Sequence, residues 1–368
     1  MNTTDTAASL PGQTRFKVYT AEELVKTEFK VEYVVDDVLV SGQPCVMAGP
    51  IKCLKTSLAV DLAISVATAT PFLGRFNVAK SLPVAIFSGE SGASALQKLV
   101  RRICEARGVN PEVGDANNLH VIGDVPRLDD SSDLWDVERI IVQHGIKLLM
   151  IDPAYRAFGS GNEASMFAMG DKIAAIDRMC RKHGVTLVIL HHFGKVATRG
   201  LGFGKPTLEN LAYAGFAEYA RQWLLLNRRR SYEPGSGYHD LWLNVGGSEG
   251  HQDDLGVDVD EGNKERGRGW KVQVLSADDL ERERDSRAKK IAQAQADLDF
   301  RVVAFLTDND RQAAKQIREG LKPMPNSGEI DRSLERLEVA GSIVAMDEKR
   351  PRRRDPVRVY SLMNSEAA

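Results

Sequence analysis

The stretch Met47-Ala-Gly-Pro-Ile-Lys-Cys-Leu-Lys-Thr-Ser57 constrains this chain more than any other. It lies between a short apolar run, Pro44 to Ala48, and an alanine-rich segment, Ser57 to Ala69, that reads as a long helix. Gly49 and the pair Lys55-Thr56 stand at the spacing of a phosphate-binding loop between a strand and a helix. Such a loop wraps phosphate in backbone N–H groups, sends its lysine to the outer oxygens and offers its hydroxyl to Mg2+. Gly49, Pro50, Ile51, Lys52, Cys53, Leu54, Lys55, Thr56 and Ser57 are therefore the candidate nucleotide contacts, with Lys52 a second cation for the phosphates. Leu54 departs from the pattern, because a glycine normally precedes the lysine. A leucine fits only if that position needs no left-handed backbone and no closer approach to the nucleotide. The competing reading is a plain Gly-Pro turn, with Lys55 a solvated residue of the first helical turn.

Other apolar runs also stop at polar residues. Leu82 to Ser88 ends in Gly89-Glu90-Ser-Gly92, ahead of a helical segment from Ala93 to Arg107. Leu119 to Ile122 reads as a short strand, Trp135 to His144 as a helix, and Ile146 to Asp152 as a fully apolar strand finishing in an aspartate, a Walker B pattern. A helix from about Gly170 to His183 leads to the apolar run Val185 to His192. This alternation predicts an α/β fold: an open, mostly parallel twisted sheet with helices on both faces and ligands at the carboxyl ends of its strands. Beyond Trp223 the runs Trp223 to Asn227, Leu241 to Val245 and Trp270 to Leu275 read as antiparallel edge strands, while Gly246 to Arg268 reads as acidic and flexible.

Four stretches follow from this partition: a tail and lead-in over 1–30, a core over 31–275, a charged helical linker over 276–296, and a small unit over 297–368. In the last, helices Asp299 to Asn309, Arg311 to Leu321 and Gly328 to Ala340 precede strands Ser342 to Met346 and Val357 to Leu362, the order of a winged helix. The basic run Lys349 to Arg354 falls at the wing tip.

With 368 residues, 43% hydrophobic and 27% charged, the chain has material for one large core and an appendage. Its net charge of −2 neither announces nor excludes nucleic acid, since local patches hide in a total. Cys45, Cys53, Cys104 and Cys180 lack metal-ligand spacing, no signal peptide is apparent, and no run approaches the ~18 apolar residues of a membrane helix. The expectation is a soluble cytoplasmic protein with reduced thiols.

Chemically, Asp152 is the natural partner of Thr56 at Mg2+, with Lys55 on the β and γ phosphates. Glu90 is the candidate base that takes the proton of the attacking water. His191 and His192 end a strand where an imidazole can hydrogen-bond the γ-phosphate, although either could be a satisfied core histidine.

The loop, Gly89-Glu90, Asp152-Pro153, Gly161-Asn-Glu163, His191-His-Phe-Gly-Lys195 and Glu218-Tyr-Ala-Arg-Gln-Trp223 resemble the RecA-like P-loop NTPase core of RepA-type hexameric replicative helicases, within the wider RecA and DnaB group. The resemblance covers roughly residues 30 to 275. It implies ATP and Mg2+ as cofactors, DNA (single-stranded) as partner, and a homo-oligomer, a hexameric ring, in replication or recombination of a plasmid, phage or mobile element. It also implies Glu90 as catalytic base, His192 as phosphate sensor and Arg221 as the arginine given to a neighbouring subunit, with Arg101 or Arg102 near the nucleotide. Arg221 has a structural alternative, pairing with Glu218 one turn earlier. Two other functions stay open: an ATP-switched DNA-binding regulator or helicase loader, and a small-molecule kinase using the same loop.

Overall fold

The computed structural model describes residues 17–158, 166–212, 214–349 and 355–363, with the side chains of 166–171 and 214 aside. Gly161 to Glu163, Arg350 to Arg354 and most of the expected tail lie outside the described residues. The chain divides into two compact units, 1–276 and 277–368.

In the first unit a short capped helix, α1 (Ala21–Lys26), precedes a two-stranded ribbon of β1 (Tyr33–Val35) and β2 (Leu39–Val40). The parallel strands follow with their helices: β3 (Cys45–Gly49), α2 (Lys55–Thr68), β4 (Val84–Ser88), α3 (Gly92–Ala106), β5 (Leu119–Ile122), α4 (Ser131–His144) and β6 (Leu148–Asp152). Then come α5 (Ala154–Ala157), α6 (Met166–His183), β7 (Thr186–His192), α7 (Lys195–Leu201) and α8 (Ala214–Tyr219). The last strands are β8 (Gln222–Arg228), β9 (Tyr238–Gly247), β10 (Gln252–Asn263) and β11 (Gly267–Leu275). They form one nine-stranded sheet in the order β11-β10-β9-β8-β3-β7-β6-β4-β5, parallel from β8 to β5 and antiparallel from β8 to β11. This is the predicted α/β architecture with antiparallel edge strands.

The period of two along each strand divides the core. Cys45, Met47, Leu148 and Met150 face one apolar cluster with α2 and α3, whereas Val46, Ala48, Leu149 and Ile151 face a second cluster with α4 and α6. Every residue of β3, β4 and β6 is buried, so both faces must be apolar and only the strand ends can carry chemistry.

Three expectations need correction. Gly246 to Arg268 is not a flexible stretch: it contains the twelve-residue strand β10, whose Leu255, Val257 and Val259 are buried while aspartates alternate with them. Counting acids hid an alternation of period two. The expected linker and the helix Asp299 to Asn309 are one continuous helix, α9 (Ala277–Asp308), because no Gly, Pro or cap interrupts it. Its first twenty residues bury no side chain, and burial begins at Leu298, Val302 and Leu306. The expected helix Arg311 to Leu321 is shorter, α10 (Ala314–Gly320), since Gln312 and Ala313 form a small strand, β12.

The second unit continues with α11 (Ser327–Val339), β13 (Ile343–Glu348) and β14 (Val357–Leu362), in a three-stranded sheet ordered β12-β14-β13. A third apolar cluster built on Leu298, Val302, Ile317, Leu334 and Ile343 holds it together. Asn326 caps α11 through a box with Glu329. Among the described residues no helix is long and apolar enough to cross a membrane.

Candidate nucleotide site

The phosphate loop leaves β3 at Gly49 because no side chain fits there. A Cβ would stand 2.6 Å from the Leu226 carbonyl oxygen and 2.8 Å from Cys53 Sγ. The loop then makes two left-handed steps at non-glycine residues, Lys52 at φ 60° and Leu54 at φ 62°. Here the sequence expectation fails: the position before Lys55 does need a left-handed backbone, and leucine adopts it. Holding a β-carbon there costs about 1–2 kcal/mol. Leu54 offsets part of that by packing, half-buried, against the core cluster that holds α2. It stands at the N-cap of α2 and supplies no side-chain cap, so the first N–H groups of that helix have no side-chain acceptor and face the loop, the usual arrangement for binding phosphate.

Lys55 is buried, and its Nζ donates to the carbonyls of Gly49 at 3.0 Å and Pro50 at 2.7 Å. Burial depresses its ammonium, while Cys53, Asp152 and Glu90 work the other way. A phosphate arriving here offers this cation a stronger partner than two carbonyl oxygens. Thr56 Oγ1 donates to Asp152 Oδ2 at 2.6 Å, and Ser88 Oγ reaches the same oxygen at 3.4 Å. Burial pushes the Asp152 carboxyl up, and the nearby Glu90 adds to this. A buried carboxylate and a hydroxyl, both oxygen donors fixed on core elements, form a donor pair that suits Mg2+.

Strand register assembles the remaining candidates. Gly49 pairs with His192, and Ser88 pairs with Asp152, so Glu90 lies two residues beyond the aspartate's neighbour. Glu90 is exposed and accepts a hydrogen bond from the Tyr155 hydroxyl. The two histidines part company. His191 is buried, stacks on Phe216 at 4.1 Å and meets the Ala212 carbonyl through Nε2 at 3.0 Å, and burial pushes it down to about 4. His192 is half-buried with its ring 6.1 Å from that of Tyr155, and its Nδ1 makes no hydrogen bond among the described residues. Burial, then Lys55, lowers His192, so a neutral imidazole faces the site.

Other expectations fall elsewhere. Gln222 pairs with Cys45, so Arg221 lies at the amino end of the sheet, opposite the phosphate loop. It is exposed, sits beyond the end of α8, and among the described residues forms no ion pair with Glu218. Arg102 is bound to Glu261 at 3.2 Å and Arg101 approaches Glu112 at 3.8 Å. Lys52 is exposed and contributes its carbonyl, which accepts from Arg228 Nη2 at 2.5 Å. Sequence reasoning missed Ser88, Tyr155 and Arg228. The signal for Arg228 was present, since it ends an apolar strand beside β3, as Asp152 and His192 end theirs.

A strand-loop-helix cradle, a strand-terminal aspartate bonded to the loop threonine, and a doubly covered parallel sheet define a P-loop ATPase with the RecA-like fold. The family model described as "AAA domain", AAA_25, matches residues 13–198, half of the chain, and the chain belongs to that family. No curated protein matches. Among solved structures the chain is similar to a KaiC-like protein from the hyperthermophilic archaeon Pyrococcus horikoshii OT3, at 14% identity over 65% of this chain and 93% of that one, TM-score 0.44. It is also similar to a second solved structure, an ATPase domain, at 15% identity over 60% of this chain and 82% of that one, TM-score 0.43.

Proposed function

We propose that this chain is an ATP-hydrolysing DNA motor that works as a homo-oligomeric ring in replication or recombination. The observation that carries its chemical part is the 2.6 Å bond from Thr56 to Asp152 beside the buried Lys55, with Glu90 at the mouth of the same site. Lys55 and the loop N–H groups hold the β and γ phosphates. Water attacks the γ-phosphorus, its proton passes to Glu90, and the bond to the bridging oxygen breaks with its electron pair leaving on ADP. Thr56 and Asp152 would hold Mg2+, which would supply positive charge to the phosphate oxygens. His192, neutral and half-buried, is suited to hydrogen-bond the γ-phosphate. An exposed carboxylate open to water supports hydrolysis over transfer to a small acceptor, which needs an enclosed pocket.

The assembly and DNA parts rest on other features. Arg221, exposed at the end of the sheet away from its own loop, is of use to the site of a neighbouring subunit. The terminal unit, read as a winged helix, offers the hairpin that begins its basic run at Lys349, whereas α11 carries Glu329, Asp331, Glu335 and Glu338. The hairpin, not this acidic helix, is the side suited to a phosphate backbone.

Hydrolysis measured with and without single-stranded DNA, together with mass in solution and strand separation, tests the reading. Stimulation by DNA and a ring-sized mass are expected, and mixing Arg221→Ala with Lys55→Ala subunits should restore some activity. Hydrolysis indifferent to DNA, with no strand separation, would favour an ATP-switched regulator or loader.

A further inference from the structure

The turn that carries Glu90 is gripped from one side by the turn that follows Asp152. Gly89 N donates to the Asp152 carbonyl at 3.0 Å, which ties the two strand exits together. Arg156 Nη1 then donates to the Gly89 carbonyl, and the Tyr155 hydroxyl donates to Glu90 Oε1. Space confirms the fit: a Cβ on Gly89 would stand 2.7 Å from Arg156 Nη1. Asp152 closes β6, Pro153 stands in extended conformation at the N-cap, and Tyr155 and Arg156 follow within the single turn of α5. One short segment thus reaches the loop threonine with its first residue, and the backbone and side chain of the Glu90 turn with the other two.

We infer that Tyr155, backed by Arg156, is a positioning residue for the Glu90 carboxylate. The inference rests on Glu90 being the base of the proposed hydrolysis. Glu90 is exposed, and among the described residues Tyr155 is the only side chain bonded to it. A free glutamate of this kind samples many rotamers, and a bond to a fixed donor holds it in few. The phenol holds Oε1 and leaves Oε2 for the proton of the attacking water. Its bond to the carboxylate is also the leading cause that pushes the phenol up, so it stays a donor at neutral pH. The Tyr155 ring, 6.1 Å from that of His192, shares the same corner of the site.

The experiment is steady-state hydrolysis of ATP by the full chain carrying Tyr155→Phe, which keeps the ring and removes the donor, with a thermal melt alongside. We expect kcat to fall about ten-fold, with KM for ATP and the melting temperature unchanged. A kcat within two-fold of the parent overturns the inference, and so does a loss that arrives with an equal loss of ATP affinity or of thermal stability. Glu90→Gln is run in parallel. If that variant hydrolyses ATP at the parent rate, Glu90 is not the base and the functional reading itself fails. If it is inactive while Tyr155→Phe is silent, only the positioning role is lost.

Discussion

The carboxyl rim of β3, β4, β6 and β7 and the antiparallel flank of β8 to β11 both bury charge, but on opposite terms. On the flank, buried charges are matched by protein partners. Arg229 reaches Asp258 and, at 3.6 Å, Asp240, while Glu261 meets Arg102 at 3.2 Å and His239 at 3.3 Å. Burial pushes Glu261 up, yet His239 and Arg102 bring it below its ordinary value. On the rim the balance falls the other way: burial wins at Lys55, depressing the cation, and at Asp152, raising the acid. Charge that the fold has matched belongs to stability. Charge left disfavoured by its own fold is matched by something that binds.

Lys55→Ala breaks the comparison at its strongest point. Removing the rim cation should cut ATP turnover at least 100-fold, because phosphate charge is then uncompensated in a buried site. The melting temperature should hold, since no carboxylate loses a short-range partner. A variant that hydrolyses ATP normally would place Lys55 with the structural charges of the flank. Glu90→Gln should slow hydrolysis by roughly 10²–10⁴-fold with ATP still bound, as the amide keeps the shape but takes no proton. Equilibrium binding of ATP beside single-turnover chemistry separates these effects, and weakened binding with normal chemistry would make Glu90 a structural residue.

The flank answers in stability. Arg229→Ala should cost about 3 kcal/mol in denaturant unfolding, because the largely buried Asp258 is left without its guanidinium, whereas Asp240 keeps Arg230 at 3.4 Å. KM for ATP should stay within a few-fold, and a selective loss of ATP binding would erase the distinction between rim and flank. The smallest effect sharpens the picture inside the rim. Leu54→Gly and Leu54→Ala lose the same packing, but only glycine accepts φ 62° without strain, so the glycine variant should be the more stable by about 1 kcal/mol. Equal stabilities would mean the loop changes its backbone once leucine is gone.

The order of strands and helices, the phosphate loop, Asp152 and Glu90 were legible in the sequence because each depends on local pattern: period two or 3.6, and polar residues that stop an apolar run. The same locality explains the errors. Acidic residues alternating with Val and Leu in β10 count as a flexible stretch until a neighbouring strand gives their inward faces something to cover. The left-handed turn at Leu54 is masked by its residue type, since leucine disfavours it and packing against the core offsets part of the strain.

By itself the sequence determined which residues end strands and therefore which could meet a ligand. Only the tertiary structure decided which of them meet. The order β8-β3-β7-β6-β4 sets His192 beside Gly49 and Asp152 beside Ser88, carries Arg228 to the phosphate loop and leaves Arg221 at the far end of the same strand. Strand order and register follow from how two apolar faces are covered at once, a condition on the whole sheet that no single segment expresses.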